Sequence, residues 1–184
     1  MSKLEFNHQL WLTSVIGKAL TDSEARELFM ISRREHYQQG QHLFQEGDDA
    51  VALFLLAEGT VEITKGIGVA GRGHTTQLAS LSAGAIVGEM SLLTKEKRSA
   101  TAIVMTPTAT VLRISWKDFE ELLGQNPAVA YKLMYALAGT LASRLRNINA
   151  RLADMAERNL NHTPHEQIEE FQLFKKKIFS DWSF

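Results

Sequence analysis

Apolar positions along this 184-residue chain change their spacing twice, and each change marks a change of element. Before about residue 35 the pattern is helical. Leu4 to Ile16 reads as a short helix. Thr21-Asp22-Ser23-Glu24 has the capping-box form, in which a threonine hydroxyl takes one free amide and a glutamate reaches back to another. It predicts a helix over 22–31 with Ala25, Leu28 and Phe29 turned inward. From about residue 35 to 115 the apolar stretches shorten, and Gly40, Gly47, Gly59 and Gly84 separate them. Leu43-Phe44, Val51 to Ala57, Val61 to Thr64, Leu78 to Leu81, Ala100 to Met105 and Thr108 to Ile114 read as strands. Ala57-Glu58-Gly59-Thr60 reads as a tight hairpin turn.

Beyond residue 115 the period is helical again. Ser115-Trp116-Lys117-Asp118 opens a short helix to about Leu123. Asn126-Pro127 opens a longer one, with proline in the first turn, where its missing amide costs no hydrogen bond. The pattern runs to about Glu157 with one glycine, Gly139, inside it, a rod on the order of 45 Å at 1.5 Å per residue. Leu145, Ile148, Leu152 and Met155 follow a 3-4-3 spacing, a coiled-coil seam that suits a homodimer. Asn161-His162-Thr163-Pro164 ends it. A tail helix follows, with Ile168, Phe171, Phe174, Ile178 and Trp182 along one side and Lys175-Lys176-Lys177 near its end. The expected fold class is α+β: an antiparallel β jelly roll (a double-stranded β-helix) with N-terminal helices in residues 1–125, a long helix in 126–158 and a tail helix in 159–184.

Composition narrows the function classes. The chain has no cysteine, which removes disulfides, thiolate metal sites and cysteine nucleophiles. A formal net charge of −1 argues against DNA as a partner held by overall charge. No apolar run reaches the roughly 18 residues of a membrane span, so the expectation is a cytoplasmic protein without a membrane partner. His8, His36, His42, His74, His162 and His165 form no metal-ligand pattern, and no Ser-His-Asp set assembles. The expectation is no metal, no cofactor and no catalytic residue, hence not an enzyme. Gly66-Ile67-Gly68-Val69-Ala70-Gly71 spells a dinucleotide fingerprint, but no helix pattern follows it, so it reads as a flexible hairpin connection.

The segment from Gly88 to Thr101 carries the chemistry. It holds Gly88, a carboxylate at Glu89, a short apolar turn through Met90 and Ser91, then Arg98 and Ser99. A guanidinium, free amides in the turn and a glycine permitting close approach suit a phosphate. Glu89 repels an anion unless it accepts from a sugar hydroxyl or pairs with an arginine. On residue types alone, a surface loop with an ordinary Glu89–Arg98 ion pair explains the segment equally well.

Gly88-Glu89-Met90-Ser91-Leu92-Leu93 and Arg98-Ser99-Ala100-Thr101 resemble the phosphate-binding cassette of the cyclic nucleotide-binding domain family, whose pattern runs Phe-Gly-Glu-Leu-Ala-Leu and then (Pro)-Arg-Ala/Ser/Thr-Ala-Thr. The separation of Glu89 from Arg98 is that of the kinase regulatory-subunit branch. Gly40-Gln41-His42-Leu43-Phe44-Gln45-Glu46-Gly47-Asp48 and Leu56-Ala57-Glu58-Gly59-Thr60-Val61-Glu62-Ile63 resemble the family's first two glycine turns, and the likeness extends over residues 20–158. Three positions depart from the pattern: Val87 for phenylalanine, Ser91 for alanine and Lys97 for proline. None removes a ligand-contacting group.

The resemblance implies that Glu89 takes the ribose 2′-hydroxyl and Arg98 the cyclic phosphate. It also implies that Ser99 and the Ser91 amide assist, and that Arg144 on the long helix reaches the base. The implied function is a cyclic nucleotide (cAMP or cGMP) sensor acting in signal transduction through an unknown protein effector. Ser99 suits either nucleotide. Two alternatives stay open: a degenerate interaction protein of the same fold that binds no nucleotide, and a transcription regulator lacking a standard DNA-binding domain. Residues 159–184 suffice for one helix rather than a helix-turn-helix module.

Overall fold

The middle of the chain folds as eight strands in a computed structural model that describes residues 7–69, 72–94 and 96–159. They are β1 (Arg33–Gln38), β2 (His42–Phe44), β3 (Ala52–Glu58), β4 (Thr60–Val69), β5 (Arg72–Ser82), β6 (Ile86–Val87), β7 (Thr101–Val104) and β8 (Thr108–Ser115). Two four-stranded sheets result, in the orders β1-β8-β3-β6 and β2-β7-β4-β5, and every pairing is antiparallel. This is the expected jelly roll.

In the first sheet the central strands β3 and β8 are buried on both faces, which explains why Val51 to Ala57 reads as a continuous apolar run. Alternation along β3 sends Ala52, Phe54 and Leu56 into the space between the sheets and Leu53, Leu55 and Ala57 under a layer of helices. β8 divides in the same way, with Ala109 and Val111 inward and Leu112 and Ile114 toward the helices. The helical layer comprises α1 (Gln9–Leu12), a 3₁₀ turn at Gly17–Ala19, α2 (Asp22–Met30), α4 (Trp116–Gln125) and α5 (Pro127–Asn159); α3 (Glu89–Thr94) lies between β6 and β7.

Several expectations change in detail. α1 is far shorter than residues 4–16. Its exit is shaped by hydroxyls that compete for main-chain oxygens: Thr13 Oγ1 donates to the Gln9 oxygen and Ser14 Oγ to that of Trp11. β1 is missed by the apolar pattern because Arg33-Arg34-Glu35-His36-Tyr37-Gln38 is polar; its pairing with β8, not its own composition, makes it a strand. Gly59 does not close a hairpin within one sheet. It carries the chain from β3 in one sheet to β4 in the other, at φ +93°, where a Cβ would lie 2.7 Å from the Thr108 oxygen. Gly66 to Val69 do belong to a hairpin, but as the far end of β4, paired with residues from Thr75 back to Arg72, rather than as an unpaired connection. The tail helix falls outside the described residues, as do the side chains of Ile148, Leu152 and Met155.

The long helix is rooted by polar contacts as well as by Val129, Ala130, Leu133 and Leu137. Glu24 completes the predicted capping box with Thr21, whose amide donates to Glu24 Oε2 at 2.8 Å, and also accepts from Lys132 Nζ of α5 at 2.7 Å. Asn126 donates to Glu27 at 2.8 Å. The Lys132 ammonium and the Thr21 donors hold the Glu24 carboxyl below its ordinary 4.5. A lowered carboxyl stabilises the fold above its ordinary value, and that contribution disappears as pH falls through the folded value. Glu24→Gln is therefore expected to be less stable than the parent at pH 7, with the gap closing below about pH 4.5. Urea midpoints measured across pH check this.

Candidate functional site

β6 is only two residues long, but its pairing of Val87 with Phe54 and Ile86 with Leu55 fixes where the following segment starts. Gly88 then turns the chain at φ +81° into α3. Two constraints require glycine there. L side chains rarely adopt that conformation, and a Cβ would stand inside contact distance of Arg98 Nη1 and 3.1 Å from Cζ. Glu89 follows as the first residue of α3 and is only 5% exposed.

Arg98 reaches the same place from the other side. Its main chain is clamped by the turn after β2: the Arg98 amide donates to the Asp48 oxygen and the Gly47 amide donates to the Arg98 oxygen, both at 2.9 Å. Its side chain is 3% exposed. Nη1 donates to the Gly88 oxygen at 3.1 Å and Nη2 donates to the Ala52 oxygen. The guanidinium carbon lies 4.1 Å from the centroid of the Phe44 ring and 5.9 Å from that of Phe54. Nε has no hydrogen-bond partner and is buried. Burial lowers the proton affinity of the group, while Glu89 and Asp48 raise it; a guanidinium stays charged at any ordinary pH.

Glu89, Arg98 and Ser99 line one cavity, together with Phe44, Ile63, Leu81 and neighbouring apolar residues. Counting the part open to solvent, it holds about 460 Å³ of free space. A cation and an acid set into a mostly apolar wall can orient a small ligand that carries an anionic group and hydroxyls. The alternative of an ordinary surface ion pair fails, because both side chains are buried.

The remaining expected residues are placed less completely. Met90 is partly exposed on the cavity wall, and Ser99 is exposed with its hydroxyl 4.0 Å from the Met90 sulfur. Ser91 lies in α3 and Arg144 in α5, but their side chains are outside the described residues. Lys97, where the pattern has proline, tethers the segment through its side chain: Nζ donates to the Gly47 oxygen at 3.2 Å and lies 3.7 Å from Asp49.

A further polar link was not legible in the sequence. Lys65 Nζ donates to the Ser99 oxygen at 2.7 Å and to Glu46 at 3.0 Å, and Glu46 also accepts from the Gly66 amide at 3.0 Å. These contacts hold the Ser99 main chain to β4. Among the described residues, no three His, Cys, Asp or Glu side chains gather as a metal site. His8 instead contacts Asp22 at 2.8 Å, and His36 contacts Thr110 at 3.2 Å.

Gly88→Ala forces an unfavourable φ and displaces the guanidinium. The expected cost is at least about 2 kcal/mol, read from urea unfolding.

Residues 34–126 match the sequence profile of the Cyclic nucleotide-binding domain. The chain is 37% identical over 135 residues to Glutaminase 1 of Bradyrhizobium diazoefficiens, covering 73% of this chain and 21% of that protein. It is 37% identical over 120 residues to the Cyclic AMP receptor protein of Thermus thermophilus, covering 65% of this chain and 52% of that protein. A cyclic nucleotide-binding domain from Methylobacillus flagellatus superposes with a TM-score of 0.68 at 26% identity, over 76% of this chain and 79% of that one. The matched region thus spans about a fifth of the glutaminase and about half of the receptor protein. With a jelly roll enclosing the Gly88–Glu89 and Arg98–Ser99 segments, this chain belongs to the cyclic nucleotide-binding domain family.

Proposed function

We propose that this chain binds cAMP or cGMP in the cavity beside α3 and passes the state of that site to a partner. The observation that carries this reading is the burial of Glu89 and Arg98 on the wall of one cavity. Arg98 meets the exocyclic phosphate oxygens. Glu89 accepts from the ribose 2′-hydroxyl, so the two residues hold opposite ends of the same ring. Gly88 lets the ligand approach the main chain, Ser99 and the Ser91 amide add donors to the phosphate, and Met90 lies at the wall. Arg144 of the long helix meets the base. The chain acts as a regulatory sensor and transforms nothing.

A homodimer through α5 is the second part of the reading. Leu145, the described member of the predicted seam, is 59% exposed. Exposed positions at 4-3 spacing continue back from it through Ala142, Ala138, Tyr135 and Tyr131, and the two tyrosine rings stack at 6.1 Å. Small residues flanked by large ones on a heptad stripe suit a second identical helix. Sedimentation equilibrium is expected to show a dimer, and Leu145→Glu to shift it toward monomer. A monomeric parent contradicts this part alone.

A ligand of the native state raises the melting temperature, by the equivalent of about 2.7 kcal/mol at a hundredfold excess over Kd. Thermal shift with cAMP and cGMP is expected to give a rise with at least one. Arg98→Ala is expected to weaken calorimetric affinity by a hundredfold or more, since charge-assisted bonds are worth about 1.5–3 kcal/mol each and two are lost. No rise with either nucleotide favours the competing reading, a fold kept for its protein contacts.

A further inference from the structure

Arginine is a long and flexible side chain, and a site that relies on one must fix the plane of its fork before the ligand arrives. Three kinds of group hold Arg98 here. The Gly88 and Ala52 oxygens each accept one N–H. Glu89 and Asp48 contribute charge at longer range. The Arg98 Cζ lies over the Phe44 ring, 4.1 Å from its centroid.

The third differs in kind from the first. A guanidinium carries its five N–H groups in its own plane. A carbonyl or carboxylate that holds it occupies one or more of them. An aromatic face attracts the cation through its quadrupole and occupies none. Phe44 therefore restrains the fork while leaving the buried Nε–H, which has no partner in this structure, unoccupied. Phe54 is too far to share this role equally at 5.9 Å, but its ring, 6.0 Å from that of Phe44 and tilted by 30°, backs the first ring. Phe44 also lines the cavity itself, so its ring stands between the hydrophobic interior and the charged group.

We propose that Phe44 is a positioning residue of the anion site: its ring face sets the plane of the Arg98 guanidinium and leaves the donors in that plane for phosphate. This rests on the cyclic nucleotide reading of the cavity. It also separates the two roles of β2, whose Leu43 fills the core while Phe44 orients a charge.

The test uses the full chain with Phe44 replaced by phenylalanines of increasing ring fluorination. Fluorination drains the negative ring face with little change of shape, so a packing role is unaffected by it. Phe44→Tyr and Phe44→Leu complete the series, circular dichroism verifies folding, and calorimetry with cAMP and cGMP gives the affinity. The expected result is a stepwise loss of affinity with each added fluorine. Phe44→Leu should be weaker by about 3- to 30-fold, and Phe44→Tyr close to the parent. Equal affinities across the fluorinated series, with a parent that binds, overturn the positioning role and leave the site reading standing. A parent that binds neither nucleotide overturns the site reading, and the positioning role with it.

Discussion

One buried cation organises this end of the molecule. Placing the Arg98 guanidinium at 3% exposure is unfavourable unless its charge and its N–H groups are met. The chain meets the charge, and the Nη1 and Nη2 groups but not Nε, with parts drawn from four places: the Gly88 oxygen after β6, the Ala52 oxygen at the start of β3, the Phe44 ring at the end of β2, and the carboxylates of Glu89 and Asp48. Each of these is held by something else. β6 is paired to β3, the turn at Asp48 is bonded to the Arg98 main chain, and Lys65 ties the neighbouring Ser99 oxygen to β4. The absence of a side chain at Gly88 is part of the same arrangement, since the guanidinium lies where a Cβ would project.

The double burial of β3 links this region to the helices. Phe54 and Leu55 are neighbours on β3; the first faces the ring cluster near Arg98 and the second the helical core that contains Leu133 and Leu137 of α5. Both are paired to β6, the strand that leads into Gly88. Packed interiors transmit small displacements poorly by bending and well by moving whole elements. One strand, β3, thus separates the strand leading into the Gly88 turn from the core that holds α5. The root of α5 is held to α2 by Lys132–Glu24 and Asn126–Glu27. Its described buried residues end at Leu137.

Much of this architecture was legible in residue spacing. The capping box at Thr21, the proline start of α5 and the glycine-separated strands appear where the pattern places them, because each rests on local chemistry. What escaped depends on partners remote in sequence. β1 has polar residues and owes its form to β8; Gly59 reads as a hairpin because nothing local reveals that β3 and β4 belong to different sheets. For the site, Glu89 and Arg98 were identified from types and from family likeness, and their burial was not, since either a solvated ion pair or a cavity fits the same letters. Phe44 and Lys65 did not stand out as site residues: Phe44 read only as part of a short strand and Lys65 lay just past the strand read over Val61 to Thr64, and only folding brings them to Arg98 and Ser99.

The central claim is that the Arg98 guanidinium receives the phosphate of a cyclic nucleotide. The most direct measurement is nitrogen-15 NMR of the Arg98 side chain during titration with cAMP and cGMP. The account predicts that the Nε–H resonance moves and saturates at one equivalent, with a coupling across the hydrogen bond to phosphorus. A nucleotide that binds while the Arg98 signals stay fixed would contradict it.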